Sequence, residues 1–489
     1  MIKNGRWLQQ LLDISVDSGL LDEPIRGIQY DSRKVGQNDV FVAIPGVKLD
    51  GTQFAKQAIE KGALLIVSEK EKIEGVPNNR IIKVDDVRKT LSIIAKAYYD
   101  FASDKLTILG VTGTNGKTTT TYLLKSILEA NGIRCGLIGT TGAMIGDRKI
   151  ELNHTTPESL ELHQLFTEMV KENLTHVVME VSSHALDLKR VYGINFKAGI
   201  FTNLTHDHLD YHGDFDHYFS AKKILFDSLN ERSFAVTNGD DEYGKKIVQS
   251  TSSKILTYGI DSEADIHGVI VASDIYSMKL KVNAGHECHL FSIPLAGKFN
   301  AYNVLGAIGV MSSLGFSLLD IEKGLQKINQ VPGRFEKVKS NGKTIGIVDY
   351  SHTPDSLEKI LKSIREIKTE KQRIITVFGC GGDRDKTKRP VMGKIAGEYS
   401  DVVIITSDNP RTENPDMIIA DIVKGCDGYN PEIESDRRKA IDAAVRFSAE
   451  GDIILVAGKG HEDYQEINGV KTHFDDREEL RKAFANYGK

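Results

Sequence analysis

An apolar run from Leu106 to Val111 passes straight into Thr112-Gly113-Thr114-Asn115-Gly116-Lys117-Thr118-Thr119. A helix-periodic segment follows, with Tyr122, Leu123, Leu124, Ile127 and Leu128 as its expected buried stripe. Few folds accept a strand that ends in spaced glycines and a Lys-Thr pair at the mouth of a helix. Such a turn gathers backbone N–H groups at a helix N-terminus, where the dipole also favours an anion. The stretch therefore reads as a phosphate-binding loop, with Lys117 reaching the terminal phosphates and the Thr118 hydroxyl on Mg²⁺. The general pattern has a glycine five residues before Gly116, where this chain has Val111; the first glycine has moved to Gly113. The structural alternative is a glycine turn with a surface lysine.

A chain of 489 residues suggests about three domains. The first stretch opens with a helix around Trp7 to Leu12, then a buried-type strand from Asp39, a helix Phe54 to Lys61 and a strand Leu64 to Val67. A helix from Val87 to Phe101 ends at a polar boundary, Ala102-Ser103-Asp104. Strand and helix patterns alternate again at Cys135 to Ile138, Leu160 to Asn173, Thr175 to Val181 and Gly199 to Thr202, the rhythm of a mostly parallel sheet. Val331-Pro332-Gly333-Arg334 marks a second boundary. Beyond it come strands Thr344 to Tyr350, Ile374 to Phe378, Val402 to Thr406 and Ile453 to Ala457. The expected class is α/β in three domains, at 1–103, 104–332 and 333–489.

A net charge of −5 and a pI near 6.3 give no electrostatic footprint for nucleic acid. No signal-type segment opens the chain, and no apolar run approaches the ~20 residues of a membrane span. Cys135, Cys288, Cys380 and Cys426 lie far apart and read as reduced thiols, which fits a cytoplasmic location.

Functional loops in mostly parallel sheets lie at the carboxyl ends of strands. Glu180-Val181-Ser182-Ser183-His184 closes one apolar strand, and its carboxylate could hold Mg²⁺ or order a water beside a nucleotide. Thr205-His206-Asp207-His208-Leu209-Asp210-Tyr211-His212 follows another. Its spacing suits no closed zinc site, and the residues leave a polar substrate loop and a metal site equally open. Lys222-Lys223 sits on an amphipathic helix and reads by itself as a solvated face. Asp31-Ser32-Arg33 reads as a capped polar turn. In the last third, Gly379-Cys380-Gly381-Gly382-Asp383-Arg384 misses the dinucleotide glycine spacing. Ser407-Asp408-Asn409-Pro410-Arg411 is a good helix-start sequence, with Arg411 as a surplus fork suited to a carboxylate. Gly458-Lys459-Gly460-His461-Glu462 follows the last strand.

Taken in order, these motifs resemble those of the Mur ligase family. The matching runs are Thr112 to Thr118, Glu180 to His184, Thr202-Asn203-Leu204 with Asp207-His208-Leu209-Asp210, and Asn300 to Asn303. Further on come Gly333-Arg334-Phe335-Glu336 and Asp349-Tyr350-Ser351-His352-Thr353-Pro354-Asp355. The resemblance implies an N-terminal UDP-substrate domain, a central P-loop ATPase-type domain and a C-terminal Rossmann-like domain for the amino acid. It implies ATP contacts from Gly113, Thr114, Asn115, Gly116, Lys117, Thr118 and Thr119, with Asn303, Arg334 and Asp349. Mg²⁺, two ions in the family, would be held by Thr118, Glu180, His208 and a carbamylated Lys222, a carboxylate made from a cation. Ser32, Thr155, Thr156, Ser182 and Arg190 would hold the UDP-sugar dipeptide. Arg384, Asp408, Asn409, Pro410, Arg411, Gly458 and Glu462 would hold the amino acid. Asp408-Asn409-Pro410-Arg411 resembles the motif of members that add meso-diaminopimelate, whereas lysine-adding members differ at the arginine. Where relatives often have Asn before the Thr-Thr pair, this chain has His154; where some have Gln two before Arg190, it has Leu188.

The implied reaction activates the D-Glu γ-carboxylate of UDP-N-acetylmuramoyl-L-Ala-D-Glu as an acyl phosphate, which the diaminopimelate amine attacks. Lys117, together with Mg²⁺, would stabilise charge on the transferring phosphoryl group. A monomer is expected. The alternatives are a lysine-adding ligase, a folylpolyglutamate-type ligase, and a nucleotide-binding switch without ligase activity.

Overall fold

A computed structural model describes residues 3–46, 49–328 and 330–489. By internal contacts the chain divides into two compact units, each drawn from several stretches: 1–110, 133–199 and 221–233 in one, 111–132, 200–220 and 234–489 in the other.

The first unit opens with a four-stranded parallel sheet, Gly27–Gln29, Asp39–Val42, Leu65–Ser68 and Ile81–Lys83 in that order. Asp39–Val42 and Leu65–Ser68 are buried along their whole length, which is why they read as continuous apolar runs. The helix Val87–Tyr98, capped by Asp86, buries Leu91, Ile94 and Ala95 in the same core as Leu160 of the helix Ser159–Lys171. The same unit carries Cys135–Gly139 parallel to His176–Glu180, with Gly142–Ile145 and Arg148–Ile150 added antiparallel.

In the second unit the helix Lys117–Ala130 buries Leu123, Leu124, Ile127 and Leu128, while Tyr122 is only half-buried. The helix Leu318–Lys327 packs on it so closely that a Cβ on Gly324 would stand 2.2 Å from Ile127 Cα. Strands Phe234–Asn238, Lys254–Gly259 and Ile266–Ser273 pair in parallel, but Ile266–Ser273, Met278–Ala284 and Glu287–Ile293 form an antiparallel meander. The parallel rhythm expected of the central region breaks there. Met278–Ala284 alternates buried and exposed residues, the period of a sheet with one wet face.

The last stretch forms a six-stranded sheet ordered Glu336–Lys339, Ile345–Asp349, Ile453–Ala457, Ile374–Phe378, Val402–Ile405, Glu432–Ile433. All neighbours are parallel except the first pair. One face packs Ile345, Ile347, Phe378 and Leu455 against helices Pro354–Ile367, Lys388–Tyr399 and Pro415–Val423. The other packs Val348, Val377, Ile404 and Val456 against Arg437–Phe447 and Asp476–Tyr487. Strand residues alternate between two apolar layers, the doubly wound arrangement expected from the sequence. A hairpin, Tyr464–Ile467 with Val470–His473, closes through Asn468-Gly469, both at positive φ. That Asn-Gly pair is a strong hairpin signal.

Candidate functional site

The phosphate loop is shaped by what crowds it. Gly113 and Gly116 sit at φ 145° and 90°, and added Cβ atoms would lie 1.9 Å from Thr202 Oγ1 and 2.3 Å from Asn303 Oδ1. Only glycine meets both demands. Thr202 Oγ1 donates to Asn115 O at 2.6 Å, and Asn115 N donates to Asn203 Oδ1 at 3.0 Å. Thr114 N donates to Asn203 O at 2.8 Å. The Thr202-Asn203-Leu204 motif therefore splints the turn. Lys117 Nζ donates to Gly113 O and Thr114 O at 2.9 and 2.8 Å, so it closes over the loop it belongs to. Thr118 and Thr119 are buried in the first helical turn.

Around this loop the second unit gathers several expected residues. Arg334 Nη2 donates to Thr118 Oγ1 at 3.2 Å, and its guanidinium lies 4.6 Å from the centre of the Tyr350 ring. Asn303 is buried and held by Asn300, its Nδ2 donating to Asn300 Oδ1 at 3.2 Å. The Asp349 carboxylate accepts from Phe335 N at 2.7 Å; burial pushes its pKa up, against the pull of Arg334. Thr205 N donates to Thr114 Oγ1 at 3.0 Å, which joins the loop carrying His208 to the phosphate loop. Burial alone would raise the Asp207 carboxyl, but the His208, His352 and Lys117 charges outweigh it and hold it below the usual range. His352 is pulled down to about 4, chiefly by burial.

Asp355 closes the motif that begins at Asp349. It accepts from Asn115 Nδ2 at 2.7 Å and from Thr205 Oγ1 at 3.1 Å, so it braces both loops at once. Its signal was its place at the start of a Thr-Pro-capped helix, where an acid also suits the dipole; that second reason hid the first.

Because five strands of the last sheet run parallel, their carboxyl ends and the loops after them share one edge. There Asn409 Nδ2 donates to Glu462 Oε2 at 2.8 Å, and Lys459 Nζ donates to Asn409 Oδ1 at 2.9 Å. Asp408 is buried, and its Oδ2 would stand 2.4 Å from a Cβ on Gly458, a second position that excludes a side chain. Arg411 adopts the left-handed region at φ 50°. Its N donates to Glu466 O and its O accepts from Asn468 N, so the hairpin grips this turn through the backbone. The Arg411 guanidinium donates to Gly382 O at 2.7 Å and stands 3.8 Å from Glu466 Oε2. Pro410 precedes Arg411 in the same turn, its carbonyl 1.9 Å from where Gly382 would carry a Cβ. Arg384 is exposed and donates weakly to Asp383 O at 3.4 Å. Burial, then Asp408, pushes the Glu462 carboxyl up, with Lys459 opposing.

Sequence reasoning missed the support beneath these loops. Arg437 and Asp476 are fully buried and doubly hydrogen-bonded at 2.7 and 2.8 Å. Arg437 also donates to Ala457 O at 3.0 Å and Ser407 O at 3.4 Å, tying together the strand ends that launch both loops. Nothing in the sequence links positions 39 residues apart on two different helices.

In the first unit, Glu180 is buried and its two oxygens accept from Thr140 N and Thr140 Oγ1 at 2.9 and 3.1 Å. Thr155 bonds the same Thr140 hydroxyl at 3.2 Å. Thr156 Oγ1 donates to Glu180 O at 2.8 Å and accepts from Ser182 N at 3.1 Å. Arg190 donates to Thr156 O at 3.0 Å and Glu158 Oε1 at 2.8 Å. Thr155, Thr156, Ser182, Arg190 and Glu180 are thus one network. The Ser32 hydroxyl instead donates to Gln57 Oε1 at 3.0 Å. Lys222 is 1% exposed, so the solvated-face reading fails for it, while Lys223 keeps some exposure and pairs with Asp227.

Three family models match consecutive spans: the Mur ligase family catalytic domain at residues 24–99, the Mur ligase middle domain at 111–311 and the Mur ligase glutamate ligase domain at 333–460. A Clostridium botulinum protein named UDP-N-acetylmuramoyl-L-alanyl-D-glutamate–2,6-diaminopimelate ligase is 46% identical over 94% of this chain and 95% of its own length. A Cytophaga hutchinsonii protein of the same name is 43% identical over 96% and 97%. A solved structure with that name aligns over the full length of both chains with a TM-score of 0.72 and 34% identity. A MurF ligase from Thermotoga maritima in complex with ADP shares the fold at a TM-score of 0.63 and 19% identity, over 94% of this chain and 97% of its own.

Proposed function

The chain belongs to the Mur ligase family, and from that membership we propose that it adds meso-diaminopimelate to the D-Glu γ-carboxylate of UDP-N-acetylmuramoyl-L-Ala-D-Glu. It is an ATP-dependent amide ligase. The observation that carries the substrate reading is the Arg411 turn, clamped by the hairpin and set on the same sheet edge as Asp408, Asn409, Gly458 and Glu462. The guanidinium supplies a fork for the second carboxylate of diaminopimelate, which lysine lacks. Asp408 and Glu462 supply negative charge for an ammonium, and Arg384 is a further cation beside the turn.

A carboxylate is a poor electrophile in water, so ATP must activate it. In the proposed sequence the γ-carboxylate attacks the ATP γ-phosphate and ADP leaves. The amine then attacks the acyl phosphate, and the tetrahedral intermediate loses phosphate. Gly113 to Thr119 would hold the phosphates through backbone N–H groups, with Lys117 swinging from its own loop carbonyls onto them. Asn303, Arg334 and Asp349 would complete the ATP contacts, while Ser32, Thr155, Thr156, Ser182 and Arg190 would hold the UDP-sugar dipeptide.

The donor set fits Mg²⁺, which takes oxygen ligands and tolerates few others. Glu180 is a buried carboxylate and Thr118 carries a hydroxyl in the first turn of its helix, so both are oxygen donors of the kind Mg²⁺ takes. A buried Lys222 is suited to carriage as a carbamate, since that change gives an oxygen donor; His208 would be the nitrogen ligand. Bound there, Mg²⁺ would offset charge on the phosphoryl group. We further propose that 1–103, 104–332 and 333–489 act as the UDP-substrate, ATP and amino-acid domains of a cytoplasmic monomer in peptidoglycan precursor synthesis. No helix among the described residues is long and apolar enough to cross a membrane.

The test is a product assay by mass. Protein, ATP, Mg²⁺ and UDP-N-acetylmuramoyl-L-Ala-D-Glu are incubated with diaminopimelate or with lysine. Product with diaminopimelate alone is expected; product with lysine would discard the Arg411 argument. No product in either tube, despite ADP binding, would favour a nucleotide switch.

A further inference from the structure

Lys459 lies in the loop between Gly458 and Glu462, two of the residues proposed to hold the amino acid. Its side chain is 0% exposed. Its Nζ donates to Asn409 Oδ1 at 2.9 Å, stands 3.4 Å from Glu462 Oε2 and lies 5.4 Å from the centre of the Tyr464 ring. Asn409 Oδ1 also accepts from Glu466 N at 3.0 Å, and its Nδ2 donates to Glu462 Oε2 at 2.8 Å. The Asn409 amide is therefore committed to the protein on both sides and relays the position of Lys459 to Glu462. A buried ammonium is tolerated only when paired and hydrogen-bonded. Here that pairing involves Glu462, one of the two carboxylates proposed to receive a substrate ammonium.

We propose that Lys459 is a positioning residue that acts through Glu462, keeping this carboxylate anionic and aimed to take an ammonium group of the incoming amino acid. The proposal rests on the reading that these loops bind diaminopimelate. The charges that face Glu462 are Asp408, Lys459 and Arg437, with the Tyr350 and Tyr464 hydroxyls neutral. Arg437 is cancelled by Asp476, its doubly bonded partner. Asp408, Glu462 and Lys459 then leave one net negative charge, which one ammonium neutralises. Without Lys459 two buried carboxylates would face each other, and one would take a proton because like charges at close range cannot both stay ionised. Amine binding would then have to displace that proton.

Lys459→Met tests this. Expected is a Michaelis constant for diaminopimelate raised about tenfold at pH 7, falling back toward the wild-type value as the pH is raised and Glu462 ionises. The constant for ATP should stay unchanged, and kcat nearly so. In Lys459→Ala, added ethylammonium should restore affinity for diaminopimelate, whereas ethanol should not. A loss that is uniform with pH and indifferent to ethylammonium would overturn the proposal and leave Lys459 a packing residue. If neither variant folds, calorimetry of diaminopimelate binding to the wild-type protein, in buffers of different ionisation enthalpy, decides. No net proton release at pH 7 supports the role, and release of about one proton refutes it. Wild-type protein that makes no product from diaminopimelate in the same assay would sink the parent reading, and this role with it.

Discussion

The proposed phosphate loop, Thr112 to Thr119, would offer a ligand mostly backbone N–H groups, braced by Thr202, Asn203, Thr205 and Asp355. The amino-acid cluster offers side chains instead, drawn from loops 50 residues apart and joined through Asn409 and Lys459. In the first, shape is set by where a Cβ cannot go. In the second, shape is set by charge pairs that must be satisfied away from water. A backbone-built site should fail through sterics, and a side-chain-built site through electrostatics.

The largest effect should come from Gly113→Ala. Its φ of 145° costs about 1–3 kcal/mol for a residue with a Cβ, and that Cβ would overlap Thr202 Oγ1 at 1.9 Å. ADP binding measured by calorimetry should vanish; wild-type affinity would break the claim that backbone geometry builds this loop. Next is Arg437→Met, which strands Asp476 in the core and should cost about 3–5 kcal/mol in denaturant unfolding. The double variant Arg437→Met/Asp476→Leu should recover most of that stability but keep a raised Michaelis constant for the amino acid. A normal constant in the double variant would mean that the tie to Ser407 and Ala457 does not matter to the loops.

Arg411→Ala removes a charge-assisted contact worth about 2–5 kcal/mol. The Michaelis constant for diaminopimelate should rise accordingly, with that for ATP unmoved; an equal rise in both would blur the distinction between the two regions. The smallest step lies outside both. His163 is fully buried, its ring nitrogens meet no hydrogen-bond partner among the described residues, and burial pulls it down to about 4. The unfolded chain therefore binds its proton first, so stability is lost as pH falls below about 6.5, at ~1.4 kcal/mol per pH unit until about pH 4. His163→Leu should flatten that slope in thermal melts without changing the ratio of the two Michaelis constants. An unchanged slope would place the acid sensitivity elsewhere.

The fold was legible wherever burial is one-sided or complete. The strands Ile374–Phe378 and Ile453–Ala457 are buried throughout and apolar but for Thr376, because both faces are covered, and the structure has the bounds read from the sequence. The meander at 266–293 was not legible as antiparallel, because partner direction depends on the connection and not on the strand. The Asn468-Gly469 hairpin was legible and was passed over.

The sequence by itself determined the glycine turn at 113–116 and the alternation of strands and helices, because backbone conformation and hydrophobic period are local properties. It also carried enough ordered motifs to indicate the family. Only the tertiary structure decided that Lys222 is buried while Lys223 is not, that Asp355 braces two loops, and that Arg437 ties Ser407 to Ala457. Lys459 belongs with them, since a lysine between two glycines looks like surface until its neighbours are known. Such roles depend on desolvation and on partners distant in sequence, and those exist only once the chain has closed around them.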